Sequence, residues 1–143
     1  HKIFGVSNDK GFSNLLASQS VVNCADFIKK TPIPKLYVIP RGTVPPNPSE
    51  LLNSTNTKRV INFLRENFSR IIFDGVPING LPDSLIMASL VDRVVLVTAV
   101  GYTKIDELME AKKALEKIDA NIAGVVVNRV NQTKRGKYSN YYE

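Results

Sequence analysis

The sequence has little of what several kinds of site require. Its 143 residues include one cysteine, Cys24, one histidine, His1, and no tryptophan. One cysteine cannot form an intramolecular disulfide, and this pair cannot supply a zinc site or a histidine-based catalytic triad. No apolar run approaches the ~20 residues of a membrane-spanning helix, and no secretory signal is recognisable at the start. We therefore expect a soluble cytoplasmic domain that needs no disulfide staple.

What is present is an ordinary globular composition with a basic excess. Hydrophobic residues make up 43% and charged residues 22% of the chain, which excludes disordered and fibrous proteins. The 19 Lys and Arg residues outnumber the 13 Asp and Glu residues, giving a net charge of +6. Such a charge suits nucleotide phosphates, an anionic membrane surface or nucleic acid. The basic residues are mostly scattered, however, and most of the excess is interpreted as solvated surface.

The hydrophobic pattern alternates between strands and helices. Apolar runs typical of strands lie at 35–39, 70–73, 94–100 and 122–127, and helical spacing occurs at 11–18, 21–30, 57–67, 83–91 and from about 103. This order predicts an α/β fold with a doubly wound, mostly parallel sheet. Ligands bind beyond the carboxyl ends of the strands in such folds, which here points to residues 41–48, 74–77 and 128–129.

Two of these places carry polar residues directly after an apolar strand. Asp74 stands where a Walker B aspartate orients the water shell of a magnesium ion bound to nucleotide phosphates. Asn128 has an amide that could pair with a purine edge, and Arg129 could contact a phosphate or a base. Taken alone, such residues are more often turn residues, so both interpretations stay open.

The end of the chain is rich in tyrosine. Tyr138, Tyr141 and Tyr142 are three of the five tyrosines, in a segment too polar to bury them. Phosphorylation would add close to two negative charges at each tyrosine. We expect residues 131–143 to be a flexible, functional tail, the alternative being a tail that folds onto a partner.

These features occur in an order that resembles one family. The matching segments are HKIFG, GFSNLL, LYVIPRGTVPPNPSELLNS, IIFDGVPI, PDSLIMASLVDRVVLV, GVVVN and the terminal tyrosines. The chain resembles the catalytic domain of bacterial tyrosine kinases, the P-loop autokinases of capsular and exopolysaccharide production. The resemblance covers essentially all 143 residues, and the Gly-x-x-Pro-Pro-Asn-Pro loop with the tyrosine tail is its most specific part.

The resemblance implies a fold and a set of nucleotide contacts. Residues 1–130 are expected to be the carboxyl-terminal portion of a P-loop NTPase-like α/β kinase domain. Asp74 matches the Walker B aspartate, which helps to hold Mg²⁺ through water. Asn128, with Arg129 beside it, matches a position near the adenine of ATP. Mg²⁺ and ATP are therefore the cofactors that the resemblance implies for the complete domain.

The resemblance also implies partners. Tyr138, Tyr141 and Tyr142 match tyrosines that are phosphorylated between neighbouring subunits of a homo-oligomer. Family members work with, or are fused to, a membrane activator or chain-length-determinant protein. The expected location is therefore the cytoplasmic face of the cell membrane, reached through that partner, and no nucleic-acid partner is expected.

Two departures from the family pattern limit what these residues can do alone. Asp74-Gly75-Val76-Pro77 stands where the family usually has Asp-Thr-Pro-Pro. No Gly-x-x-x-x-Gly-Lys-[Ser/Thr] occurs among the 143 residues, and the family's second acidic motif, just upstream of HKIFG, is also lacking. The lacking part is a βαβ-sized segment that would contribute central strands, so we expect unpaired sheet edges. The sequence is either part of a longer kinase or a chain without a P-loop, and in both cases the 143 residues alone are expected to be inactive as a kinase.

Two alternative functions stay open. The chain could be a non-catalytic module derived from the family, supplying a tyrosine tail and an assembly surface. It could also be a fragment of a partitioning-type P-loop ATPase, although those relatives need no phosphoacceptor tail. A P-loop in upstream coding sequence would separate the kinase from the non-catalytic module.

Overall fold

The computed structural model describes residues 1–18 and 24–130. These residues form two compact units, divided between Val76 and Pro77. The predicted tail, residues 131–143, lies outside the described part of the chain, and so do residues 19–23. No helix within the described ranges is both long and apolar enough to cross a membrane.

The first unit combines helices with a short hairpin. Its elements are α1 (Phe12–Ala17), a 3₁₀ turn (Cys24–Phe27), β1 (Lys29–Lys30), β2 (Tyr37–Val38), α2 (Pro48–Leu52) and α3 (Thr55–Asn67). β1 and β2 are antiparallel. The core of this unit is a cluster of buried apolar side chains, namely Leu15, Leu16, Phe27, Val60 and Leu64.

Two side chains at the start of α3 join it to its neighbours. Thr57 is fully buried, and its hydroxyl donates to the Leu51 carbonyl at 2.8 Å. The Asn56 amide nitrogen donates to the carbonyls of Leu15, Leu16 and Ser18. Asn56 therefore ties the start of α3 to the carboxyl end of α1.

The second unit contains the parallel strands. Its elements are α4 (Pro82–Ala88), β3 (Val94–Ala99), α5 (Ile105–Glu116) and β4 (Ile122–Asn128). β3 and β4 are parallel, with Val97 opposite Val126, and α5 connects them. Leu96 of β3 is buried in a cluster with Ala88, Ala111 and Leu115. Each strand pairs only with the other among the described residues, so each has one unpaired edge there.

The predicted α/β fold with a parallel sheet is confirmed, but two predicted elements are wrong. Residues 21–30 were expected to form a helix, yet the described part of this segment is a 3₁₀ turn followed by β1. Pro32 disfavours helical backbone just before it, and the turn that follows returns the chain to pair with β1. Residues 70–73 pair with no strand in the described ranges. Ile71 and Phe73 are half-buried there, whereas Ile72 is 85% exposed.

Candidate functional site

The carboxyl end of β4 carries two of the predicted site residues. Asn128 is the last residue of β4 and is exposed. Its side-chain oxygen accepts a hydrogen bond from the Arg129 amide at 2.7 Å, and its carbonyl accepts one from Val100. The side-chain oxygen of Asn128 is therefore engaged with the backbone, while its amide nitrogen has no partner among the described residues and is free to donate.

Arg129 lies against a residue that the sequence analysis missed. The guanidinium carbon of Arg129 is 4.2 Å from the centre of the Tyr102 ring, a cation–π contact. Arg129 has a φ of 57°, in the left-handed region. The backbone of a non-glycine residue adopts this conformation at a cost of about 1 kcal/mol or more. The stacking contact is one interaction that offsets this cost.

Tyr102 lies in the loop after β3. Gly101 before it has a φ of 78°, which glycine adopts without strain, and the Thr103 hydroxyl accepts the Ala99 amide at 3.1 Å. Because β3 and β4 are parallel, their carboxyl ends lie together and bring Tyr102 beside Arg129. The available sequence signal was an aromatic residue two positions after the apolar run at 94–100.

Asp74 belongs to the first unit. It follows a segment in which Ile71 packs against the core cluster and the Phe73 ring lies 5.9 Å from the Phe12 ring. Ile71 and Phe73 are half-buried, whereas Ile72 and Asp74 are exposed. The carboxylate of Asp74 is itself exposed, and is therefore accessible to a hydrated cation.

The loop at 41–48 is fixed at its start by the beginning of α1. The Phe12 amide donates to the Pro40 carbonyl at 2.8 Å, and the Ser13 amide donates to the Arg41 carbonyl at 2.9 Å. The side-chain oxygen of Asn14 accepts from the amides of Gly11 and Thr43. Two backbone amides in the first turn of α1 are thus hydrogen-bonded to this loop and are not free to bind a ligand.

The loop is held from a second side by Asn8. Its side chain accepts the Gly42 amide at 2.9 Å and donates to the Gly42 carbonyl at 3.3 Å. Gly42 has a φ of 82° and an added Cβ there would collide with the Asn14 side chain. We call this set of contacts between residues 8–14 and 40–43 the α1–loop clamp. The clamp holds the start of the proline-rich loop at 41–48 in place.

The predicted site residues are divided between the two units of the chain. Asn128 and Arg129 are adjacent in the second unit, where Arg129 contacts Tyr102, and Asp74 lies in the first unit. The three tail tyrosines fall outside the described residues. The structure leaves the predicted roles of these residues untested.

The described residues do not fit a complete Mg-ATP site. They contain no group of three His, Cys, Asp or Glu side chains that could hold a metal ion. Asp74 suits one water-mediated contact to Mg²⁺, which prefers to keep several waters. The backbone cradle and the lysine that hold the phosphates in P-loop proteins are not among the 143 residues.

Cys24 is expected to be a poor nucleophile. Partial burial raises the pKa of its thiol, although its own backbone hydrogen bond and Arg59 act in the opposite direction. A raised pKa leaves less thiolate at a given pH, and the thiolate is the reactive form. Alkylation by iodoacetamide at pH 8 should be slower, by several-fold, than that of glutathione. The alkylation rate of Cys24 should also rise at a higher pH than that of glutathione. Equal rates would show that burial does not control this thiol.

Comparisons with known proteins point to one family. No protein-family model matches the chain. Tyrosine-protein kinase CpsD of Streptococcus agalactiae is 36% identical over 134 residues, covering 92% of this chain and 58% of CpsD. The chain therefore spans less than two thirds of the length of this relative.

Solved structures of other proteins are similar to this chain in both fold and sequence. The crystal structure of the chimerical protein CapA2B2 has a TM-score of 0.85 and 33% identity, covering 92% of this chain and 57% of that one. The kinase domain of Escherichia coli tyrosine kinase ETK has a TM-score of 0.85 and 28% identity, covering 94% and 52%. The chain belongs to the bacterial tyrosine kinase family.

Proposed function

We propose that the chain is part of an ATP-dependent protein-tyrosine autokinase that regulates capsular or exopolysaccharide biosynthesis and export. The observation that carries the proposal is the match to tyrosine kinase domains over more than 90% of the chain. In this proposal residues 1–130 are the carboxyl-terminal portion of the kinase domain, and residues 131–143 are a flexible tail. Mg²⁺ and ATP are the cofactors of the complete domain.

Each predicted residue has a role in this proposal. Asp74 contacts Mg²⁺ through water, a role that its exposed carboxylate permits. Asn128 and Arg129 lie near the adenine, where the Asn128 amide nitrogen can donate to a base and the outer face of the Arg129 guanidinium can stack on it. Tyr102 supports this guanidinium from the other side.

The phosphoacceptors are Tyr138, Tyr141 and Tyr142, which receive phosphate from neighbouring subunits. Activation comes from a membrane protein whose cytoplasmic end binds the kinase, and the protein acts at the inner face of the cell membrane through that partner. The phosphorylated tail changes assembly because each phosphate brings close to two negative charges into a basic segment.

A test compares the 143-residue chain with the natural polypeptide purified from its own cells. Both are incubated with Mg-ATP, and the phosphorylated tyrosines are mapped by mass spectrometry. We expect phosphate on Tyr138, Tyr141 or Tyr142 of the natural polypeptide and none on the 143-residue chain alone. Substitution of all three tyrosines by phenylalanine should remove the tail signal, while binding of Mg-ATP is retained.

Asp74→Asn in the natural polypeptide is the matching test of the metal role. Loss of one charge near the magnesium ion should lower the rate of autophosphorylation by roughly tenfold or more, about 1.4 kcal/mol. Asp106→Asn removes another exposed carboxylate, in the first turn of α5, and should leave the rate unchanged. Equal rates for Asp74→Asn and the unsubstituted protein would remove Asp74 from the site.

A second candidate is a non-catalytic assembly module. The 143 residues contain no Walker A motif, which is compatible with this function as well as with a longer kinase. This function predicts a natural polypeptide that binds neighbouring kinase subunits yet never phosphorylates itself. Titration calorimetry of Mg-ATP and Mg-ADP into the 143-residue chain tests for nucleotide binding. Micromolar binding would mean that a neighbouring chain completes the phosphate site. No binding would mean that the 143 residues hold no nucleotide site.

A further inference from the structure

The hairpin of β1 and β2 lies in a long basic stretch of the chain that has no acidic residue. Between Asp26 and Glu50 there is no acidic residue, while Lys29, Lys30, Lys35 and Arg41 are basic. Lys30 and Lys35 are both exposed, and neither forms an ion pair within the described residues. This hairpin therefore presents uncompensated positive charge to solvent.

The same hairpin exposes apolar side chains at its tip, residues 31–36. Ile33 is 52% exposed and Leu36 is 38% exposed. Tyr37 is 43% exposed and lies opposite Lys30, so the two side chains share one face of the hairpin. Its ring is also held edge-on to Phe68, with 5.6 Å between the ring centres. Apolar tips beside lysines are the side-chain combination that suits a membrane–water interface.

The tip is held in shape by its own hydrogen bonds. The Thr31 hydroxyl donates to the Leu36 carbonyl at 2.9 Å and accepts the Ile33 amide at 3.1 Å. The Leu36 amide donates to the Ile33 carbonyl at 3.2 Å, and the Thr31 amide donates to the Leu36 carbonyl at 3.3 Å. Ile33 is therefore presented by a preformed turn, and little ordering entropy is left to be lost on binding.

The hairpin tip has few free backbone amides, which limits the kinds of partner that it can bind. Pro32 and Pro34 have no amide hydrogen, and the amides of Thr31, Ile33 and Leu36 are bonded within the tip. A tip with so few free donors can enter a region poor in water at low cost. A peptide that binds by strand addition needs free amides, so it is less suited to this tip.

We propose that the hairpin tip docks on an anionic lipid surface, with Ile33 and Leu36 at the headgroup boundary and Lys30 and Lys35 on lipid phosphates. Neither the kinase activity nor the nucleotide contacts are needed for this docking. An acidic protein segment is the competing occupant, and it is an outcome of the test.

The test measures binding of the 143-residue chain to phosphatidylcholine vesicles in which about a quarter of the lipid is phosphatidylglycerol. A lysine near an anionic surface contributes about fivefold to binding, so Lys30→Gln with Lys35→Asn should weaken partitioning by roughly 25-fold. Asparagine is chosen at position 35 because Lys35 has a φ of 64°, which asparagine tolerates.

The matched control is Lys10→Gln with Lys58→Gln. These lysines are exposed, belong to the same unit and lie outside the hairpin, so the net charge changes equally. This pair should weaken binding by less than about threefold, because the attraction falls off within a Debye length. Equal losses for the two pairs would show that net charge alone is responsible and would overturn the proposal.

A second pair of variants tests the apolar contact. Ile33→Ser should weaken binding several-fold without changing its salt dependence, since no charge is removed. Ile3→Ser, which alters a 91% exposed isoleucine elsewhere in the unit, should have no effect. Circular dichroism checks that all variants are folded. No binding of the unsubstituted chain to the anionic vesicles would overturn the proposal and leave an acidic protein segment as the occupant.

Discussion

Gly11→Ala is expected to destabilise the first unit by about 3 kcal/mol or more. The backbone of Gly11 is extended, with a φ of −154°, so any residue could adopt it. An added Cβ, however, would overlap the Pro40 carbonyl oxygen and the Gly42 amide nitrogen, and would lie 2.6 Å from the Arg41 carbonyl carbon. These are backbone atoms, so relief requires the α1–loop clamp to open and its hydrogen bonds to lengthen or break.

Gly5→Ala is the control, because it replaces a glycine at a position where the added Cβ collides with nothing. Gly5 has a φ of 62°, but an added Cβ there meets no atom within 4 Å. Its cost is therefore the backbone term alone, about 1 kcal/mol. Hydrogen exchange followed by mass spectrometry can compare both variants, since it reports the opening free energy of each peptide segment. Similar protection of α1 in the two variants would show that the clamp does not limit the stability of this unit.

The clamp explains why two distant segments of the sequence matter together. The GFSNLL segment supplies α1, and the start of the proline-rich segment supplies the carbonyls that its amides bind. From the sequence alone the loop at 41–48 was predicted to be a place for ligands. At its start, the backbone groups of residues 40–43 are engaged with residues 8–14. The sequence contains both segments but not the pairing, because hydrogen bonds between segments about 30 residues apart have no local pattern.

The helices and strands that could be predicted are those in which the apolar residues of the sequence pattern are also the ones buried in the structure. β3 and β4 follow from the apolar runs at 94–100 and 122–127, and α3 follows from Val60, Ile61 and Leu64, which the structure buries. Residues 70–73 show the limit of this reasoning. Three apolar residues predicted a strand buried on both faces, yet Ile72 is exposed because no described element covers that side.

The candidate site also contains residues that the sequence predicts and one residue that it does not. Asp74, Asn128 and Arg129 could be singled out because each follows an apolar segment, and strand ends are where such folds bind ligands. Tyr102 was missed since its role depends on the register of β3 beside β4 and on the left-handed backbone of Arg129. Neither the register nor a positive φ at an arginine has a signal in local sequence.

Leu115→Ala is expected to destabilise the second unit by about 2–5 kcal/mol, the usual range for a buried leucine. Leu115 has no exposed surface and lies in the cluster with Leu96 of β3 and Ala88 of α4. Truncation leaves a cavity between α5 and the strand pair, and two of its neighbours, Ala88 and Ala111, are too small to fill it. Because α5 supports β3, the exchange protection of the β3 and β4 amides should fall together.

The control for this prediction is Ile105→Ala, on the same helix. Ile105 is 78% exposed, so its truncation removes little buried surface and should change stability by less than about 0.5 kcal/mol. Leu115→Ala should also weaken the Tyr102–Arg129 contact, which depends on the two strand ends staying in register. Tyr102 fluorescence can follow this in chains in which Tyr37 and the three tail tyrosines are replaced by phenylalanine, so that Tyr102 is the one tyrosine left. Unchanged fluorescence and protection would mean that the strand pair holds its carboxyl end without support from α5.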